Sequence, residues 1–184
     1  VYVTMPTELG TIYDKEELEA IHDVCQEYKM PLYIDGARLA YGLMAEGCDL
    51  DLPWLAHHCE AFYIGGTKCG ALCGEAVVFP KPGTAPHFFT IVKQHGALLA
   101  KGRVAGIQFD VLFTNGLYDA IGKTAIDAAD RIRAALDEKG YEQAFAAPTN
   151  QIFVALTPEK AKALSERVEM GFWENLGDGR VVMR

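Results

Sequence analysis

The chain has 184 residues, of which 50% are hydrophobic and 23% charged, and it carries a net charge of −8. That balance describes an ordinary globular protein of one medium domain or two small ones. It excludes the basic surface excess that nucleic-acid phosphates require, and no apolar run is long enough to span a bilayer.

Val1-Tyr2-Val3-Thr4 reads as a strand rather than a secretory leader, and a chain that opens inside a strand is expected to have residues upstream. Asp14, with a carboxylate three residues later at Glu17, predicts a capped helix to about Lys29. Leu18, Ile21, Val24, Cys25 and Tyr28 would share its inner face, and Pro31 would end it. Leu32-Tyr33-Ile34 is a short apolar strand that ends at Asp35. Helical stretches follow from about Arg38 to Glu46 and from Pro53 to His58, then strands at Ala61 to Ile64 and Glu75 to Phe79. Pro80 to Pro86 is the clearest break in composition. Beyond it the pattern predicts a helix from His87 to about Phe113 and a second from about Gly116 to Lys139, stopped by Gly140. A strand over Gln151–Leu156, a helix over Pro158–Met170 and strands at Phe172-Trp173-Glu174 and Arg180–Met183 complete a small α+β tail.

Alternating strands and helices indicate an α/β fold with a mostly parallel sheet, and short, nearly continuous apolar strands predict that both of its faces are covered. The five cysteines, Cys25, Cys48, Cys59, Cys69 and Cys73, are odd in number and irregular in spacing. They predict free thiols in a reducing compartment, hence a cytoplasmic protein. His57-His58-Cys59 with Cys69 and Cys73 fits no zinc spacing, so no metal is expected. His22 is expected on a polar, solvated helix face, and no catalytic role is assigned to His57, His58, His87 or His95.

Ligands of parallel α/β sheets gather at the carboxyl ends of strands. Two such ends carry chemistry here. Phe62-Tyr63-Ile64-Gly65-Gly66-Thr67-Lys68-Cys69-Gly70 presents an amine in a loop almost free of side chains, and Ile34-Asp35-Gly36-Ala37-Arg38 presents a carboxylate and a guanidinium. A lysine, a carboxylate and an arginine meet the three demands of a pyridoxal phosphate site. Lys68 would hold the aldehyde as a Schiff base, its charged form disfavoured by an apolar setting. Asp35 would keep the pyridine nitrogen protonated, and Arg38 would grip an anion through its planar fork. Each residue also has a plain structural reading: a solvated lysine, a helix cap or turn aspartate, and a surface arginine.

The paired segments Leu32 to Leu39 and Ile64 to Val78 resemble the low-specificity threonine aldolase and β-eliminating lyase family, pyridoxal phosphate enzymes of the aspartate-aminotransferase fold. The similarity continues through Pro6-Thr7-Glu8-Leu9-Gly10-Thr11, Gly96 to Phe109 and Pro148 to Val154. The resemblance implies a Schiff base on Lys68, Asp35 on the pyridinium nitrogen and Arg38 at the cofactor or the substrate carboxylate. It implies further that Thr67 bonds the phosphate, that Arg103 faces a cofactor site, its own or a partner subunit's, and that Arg184 binds the substrate carboxylate. Residues 1–105 would be part of the cofactor-binding large domain, and residues 106–184 an incomplete small C-terminal domain. Cys69 stands where the family pattern leads one to expect Asn or Gly. The chain begins after the family's phosphate cup and stops short of its last strand and helix, so it resembles the later part of an enzyme.

The implied activity is cleavage of a β-hydroxy amino acid to glycine and an aldehyde, in a homodimer or homotetramer. β-Elimination or transamination on the same fold is the first alternative. A non-catalytic fragment without the phosphate-binding part is the second.

Overall fold

The computed structural model describes residues 1–184. Strands Tyr2–Thr4 (β1), Tyr33–Gly36 (β2) and Ala61–Ile64 (β3) run parallel in that order, and Ala76–Val78 (β4) joins β3 antiparallel. The register aligns Val3 with Ile34, Ile34 with Phe62 and Phe62 with Val78. Side chains alternate along a strand, so these residues share one face. That face is the floor of an 18-residue buried cluster.

Helices Lys15–Glu27 (α1), Leu39–Leu43 (α2) and Leu52–His58 (α3) contribute Leu18, Cys25, Leu39 and Leu55 to the same cluster. Each such leucine contributes roughly 1.5–3 kcal/mol by leaving water. The Asp14 cap forms as expected: the Glu17 amide donates to Asp14 at 2.8 Å, and the Asp14 amide donates to Glu17 at 3.1 Å. The inner face of α1 is narrower than predicted, because Val24 and Tyr28 stay exposed. α2 ends at Leu43, short of Glu46.

The other face of the sheet carries Tyr2, Tyr33, Asp35, Tyr63 and Val77. It is not covered as predicted: Tyr2 is 61% and Val77 50% exposed. This face carries three tyrosines, Tyr2, Tyr33 and Tyr63. Those aromatics instead form an open row, with Tyr2 stacked on Tyr33 at 5.6 Å and Tyr33 tilted against Tyr63 at 6.4 Å.

The single helix expected from His87 to Phe113 is two, Phe88–Gln94 (α4) and Arg103–Leu112 (α5). Gly96 has φ +69°, a left-handed conformation that ends α4. A 3-10 turn at Thr114–Gly116 leads into the long helix Leu117–Glu138 (α6). α6 stops as predicted: Gly140 has φ +70°, its amide donates to Asp137, and the Tyr141 amide donates to Leu136 at 2.9 Å. α6 crosses α2 where Gly122 lies against the Ala40 carbonyl, with no room for a β-carbon.

The tail forms a second sheet from Glu142–Gln143 (β5), Val154–Leu156 (β6), Phe172–Asn175 (β7) and Val181–Met183 (β8). It is antiparallel in the order β5-β6-β8-β7, and Pro158–Ser165 (α7), shorter than expected, packs against β8. Buried Thr149 donates to the Gly10 carbonyl at 2.9 Å and fastens this tail to the first loop.

Candidate active site

Two glycines bring the functional loops together. A β-carbon at Gly36 would lie 2.1 Å from the Tyr63 carbonyl oxygen, and one at Gly65 would lie 2.3 Å from the Ala37 carbonyl oxygen. No other residue type fits either position. The Gly65 amide donates to the Gly36 carbonyl at 2.9 Å, so the loop that carries Lys68 lies directly against the loop that follows Asp35.

Asp35 is half-buried at the end of β2. Its carboxylate accepts from the Tyr2 hydroxyl and from the Ala37 amide, the latter at 3.0 Å. Burial pushes its carboxyl up. Hydrogen bonding from Tyr2, Tyr63 and the Ala37 amide, together with the Lys68 charge, outweighs burial and holds it below the usual carboxylate range. The same contact, with Asp35 as acceptor, raises the Tyr2 hydroxyl to about 12. Asp35 is therefore an anion at neutral pH, as a partner for a pyridinium nitrogen must be.

Lys68, Arg38 and Arg184 line one cleft of about 1270 Å³ that opens between the first sheet, α6 and the second sheet. Arg38 is mostly buried and stands 4.0 Å from Glu8. Arg184 lies over the Trp173 ring, 5.8 Å from its centre. Asp35 sits beside this cleft rather than on its wall, on the tyrosine side of the sheet. Lys68 itself is exposed. The desolvated setting expected from its glycine-rich loop is absent, because small residues leave the loop open to water as well as to a ligand.

Thr67 and Arg103 both lie outside the Lys68 cleft. The Thr67 hydroxyl donates to Glu75 at 2.7 Å, which commits its single proton. Arg103 is exposed in the first turn of α5 and is no part of the Lys68 cleft. Cys69 is buried, and its thiol donates to the Gly65 carbonyl at 2.8 Å. Burial pushes this thiol up, so it stays protonated and serves the turn rather than acting as a nucleophile.

Four side chains that hold the site escaped the sequence reading. Tyr41 donates to the Lys68 carbonyl, and Tyr118 donates to the Gly65 carbonyl at 3.1 Å. Gln108 accepts from the Leu72 amide at 2.5 Å and donates to the Cys73 carbonyl at 3.2 Å. Glu75 accepts from the Gly66 amide as well as from Thr67. Only Glu75, inside the Gly66-to-Glu75 loop, was visible as a charged residue near the lysine. The other three approach from α2, α5 and α6, and no local spacing marks them. His22 is also not the solvated residue expected: its ring pairs with the His58 carbonyl at 2.8 Å and meets the His58 ring edge-on at 5.4 Å.

An exposed amine, an ionised carboxylate at the neighbouring strand end and two guanidinium groups are the donor set that an aldehyde, a basic ring nitrogen and anionic groups require. The sheet and its crossovers define an aminotransferase-like α/β fold. Residues 1–159 match the family described as beta-eliminating lyase, and the chain belongs to that family. Members of this family depend on pyridoxal phosphate. A low specificity L-threonine aldolase of Pseudomonas sp. is 30% identical over 181 residues, covering 97% of this chain and 52% of its own length. One from Pseudomonas aeruginosa is 31% identical over 185 residues with the same coverage. The solved structure of Leishmania major threonine aldolase superposes with a TM-score of 0.95 at 38% identity, over 100% of this chain and 54% of that one. An aspartate aminotransferase of Thermus thermophilus shares the fold, with a TM-score of 0.67 at 18% identity over 99% of this chain and 51% of its own. The chain thus spans about half the length of the curated relatives it matches.

Proposed function

We propose that the chain supplies the lysine, carboxylate and arginine side of a pyridoxal phosphate-dependent carbon–carbon lyase. The substrate class is a β-hydroxy amino acid, cleaved between Cα and Cβ to glycine and an aldehyde, as in threonine aldolases. The observation that carries this reading is that Lys68, Arg38 and Arg184 share one cleft, with the Asp35 carboxylate at the adjoining strand end. Bound pyridoxal phosphate supplies an electron sink for the pair released at Cα.

The chain's own residues have distinct tasks. Lys68 is the attachment amine and the exchangeable partner of the substrate amine. Asp35, kept ionised by its hydrogen bonds, holds a proton on the ring nitrogen. Arg38 and Arg184 receive carboxylate or phosphate oxygens through planar pairs of donors. Thr67 reaches a phosphate only if its hydroxyl leaves Glu75. Arg103, on an exposed apolar helix, serves the site of a second copy in a homodimer or homotetramer. Residues 1–105 form the cofactor side and 106–184 the substrate side, in a cytoplasmic enzyme.

Product analysis of the full-length protein tests the reaction. Threonine should give glycine and acetaldehyde in equal amounts. Pyruvate and ammonia from serine or a β-chloro amino acid, with no acetaldehyde from threonine, would assign the same residues to elimination instead.

A further inference from the structure

We infer that Glu75 is a positioning residue for Lys68. This rests on the proposed role of Lys68 and extends it to a residue outside that role. The carboxylate of Glu75 accepts from the Gly66 amide and, at 2.7 Å, from the Thr67 hydroxyl, the two groups immediately before the lysine. Glu75 is the residue just before β4, whose Ala76 pairs with Ile64 at the end of β3. One side chain thereby closes the eleven-residue loop between β3 and β4 at its neck, while Tyr41 donates to the Lys68 carbonyl.

The loop is in particular need of such a fastening. Gly65, Gly66, Gly70 and Gly74 give its backbone wide freedom, and Gly70 and Gly74 have φ of +106° and +84°. Without a fixed acceptor, the Gly66 amide and the Thr67 hydroxyl would turn to water and the amine would sample many directions. A carboxylate forms stronger bonds to both donors than a neutral acceptor does. The same bonds hold the Thr67 hydroxyl on Glu75.

The test reads the loop and the amine separately. In full-length protein, hydrogen exchange at the Gly66 amide is measured with no cofactor added. The initial rate of Lys68 modification by pyridoxal phosphate and borohydride is then followed by peptide mass spectrometry. Glu75→Ala should speed exchange at Gly66 at least about tenfold, the equivalent of one charge-assisted bond. It should also slow Lys68 modification severalfold, with no change at surface lysines. Glu75→Gln, which keeps an acceptor for Gly66, should recover much of both. Thr67→Val should slow modification while leaving Gly66 protected. Unchanged Lys68 modification in Glu75→Ala overturns the inference. If Glu75→Ala does not fold, equal modification rates in Thr67→Val and the parent overturn it. If Lys68 is not modified in the parent protein, the proposed site fails first, and the Gly66 exchange result still decides whether Glu75 holds the loop.

Discussion

Gly36 and Gly65 fix how close two strand ends approach, and that closeness sets the distance between an amine and a carboxylate. A methyl group at Gly36 would sit 2.1 Å from a backbone oxygen that has no flexible side chain to give way. Gly36→Ala should therefore cost about 3 kcal/mol or more, read from denaturant unfolding. A loss under about 0.5 kcal/mol, the size of an ordinary surface substitution, would show that the two loops are not pressed together. Asp35 makes a prediction in pH. Its folded carboxyl lies below the usual range, so its stabilising contribution is present above the unfolded value and lost as pH falls through the folded one. The difference in melting temperature between the parent and Asp35→Asn should be largest near neutrality and shrink below about pH 3.9. A difference that grows toward acid would mean that Asp35 is destabilised as an anion. Lys68, Asp35 and Arg38 could be singled out as candidates in the sequence because each lies within two residues of a glycine at a strand end. The openness of Lys68 was not, because exposure depends on what the rest of the fold leaves uncovered.

Caps and stops were the most readable features of the elements. The Asp14 and Glu17 pair and the Gly140 stop each rest on a backbone requirement that only a few residue types meet. Asp14→Ala should lower stability by about 1 kcal/mol and leave the Lys68 cleft unchanged. An unchanged unfolding midpoint would show that the capping box carries no weight. The break between α4 and α5 was missed because hydrophobic residues continue through it. Ala97, Leu98 and Leu99 keep a helical pattern, while Gly96 at positive φ has already turned the chain. The open face of the first sheet was missed for a related reason. Tyr2, Tyr33 and Tyr63 alternate with Val3, Ile34 and Phe62, and a count of apolar residues cannot distinguish a tyrosine that packs from one that offers its hydroxyl to Asp35.

The whole molecule ties a parallel sheet to an antiparallel one through α6 and the Thr149 contact, and the cleft lies where they meet. Long-range placement of this kind was not legible from motifs. Arg184 and Lys68 are 116 positions apart, and only the packing of the second sheet brings them to one cleft. Phe88, Phe89, Ile91, Val104, Ile107 and Val111 are all exposed on α4 and α5, an apolar surface beside Arg103. As the contact of the proposed homodimer or homotetramer, this surface should require its apolar character. Sedimentation should show that Val104→Glu with Ile107→Glu lowers the molecular mass of the assembly. An unchanged mass would move the contact elsewhere.

The proposed site requires that one amine be selected from all the lysines of the chain. The direct measurement is to incubate the full-length protein with pyridoxal phosphate, reduce it with borohydride and map the modified peptide by mass spectrometry. The predicted result is a single dominant adduct on Lys68, absent in Lys68→Ala. An adduct distributed over surface lysines, or one that persists undiminished in Lys68→Ala, would contradict it.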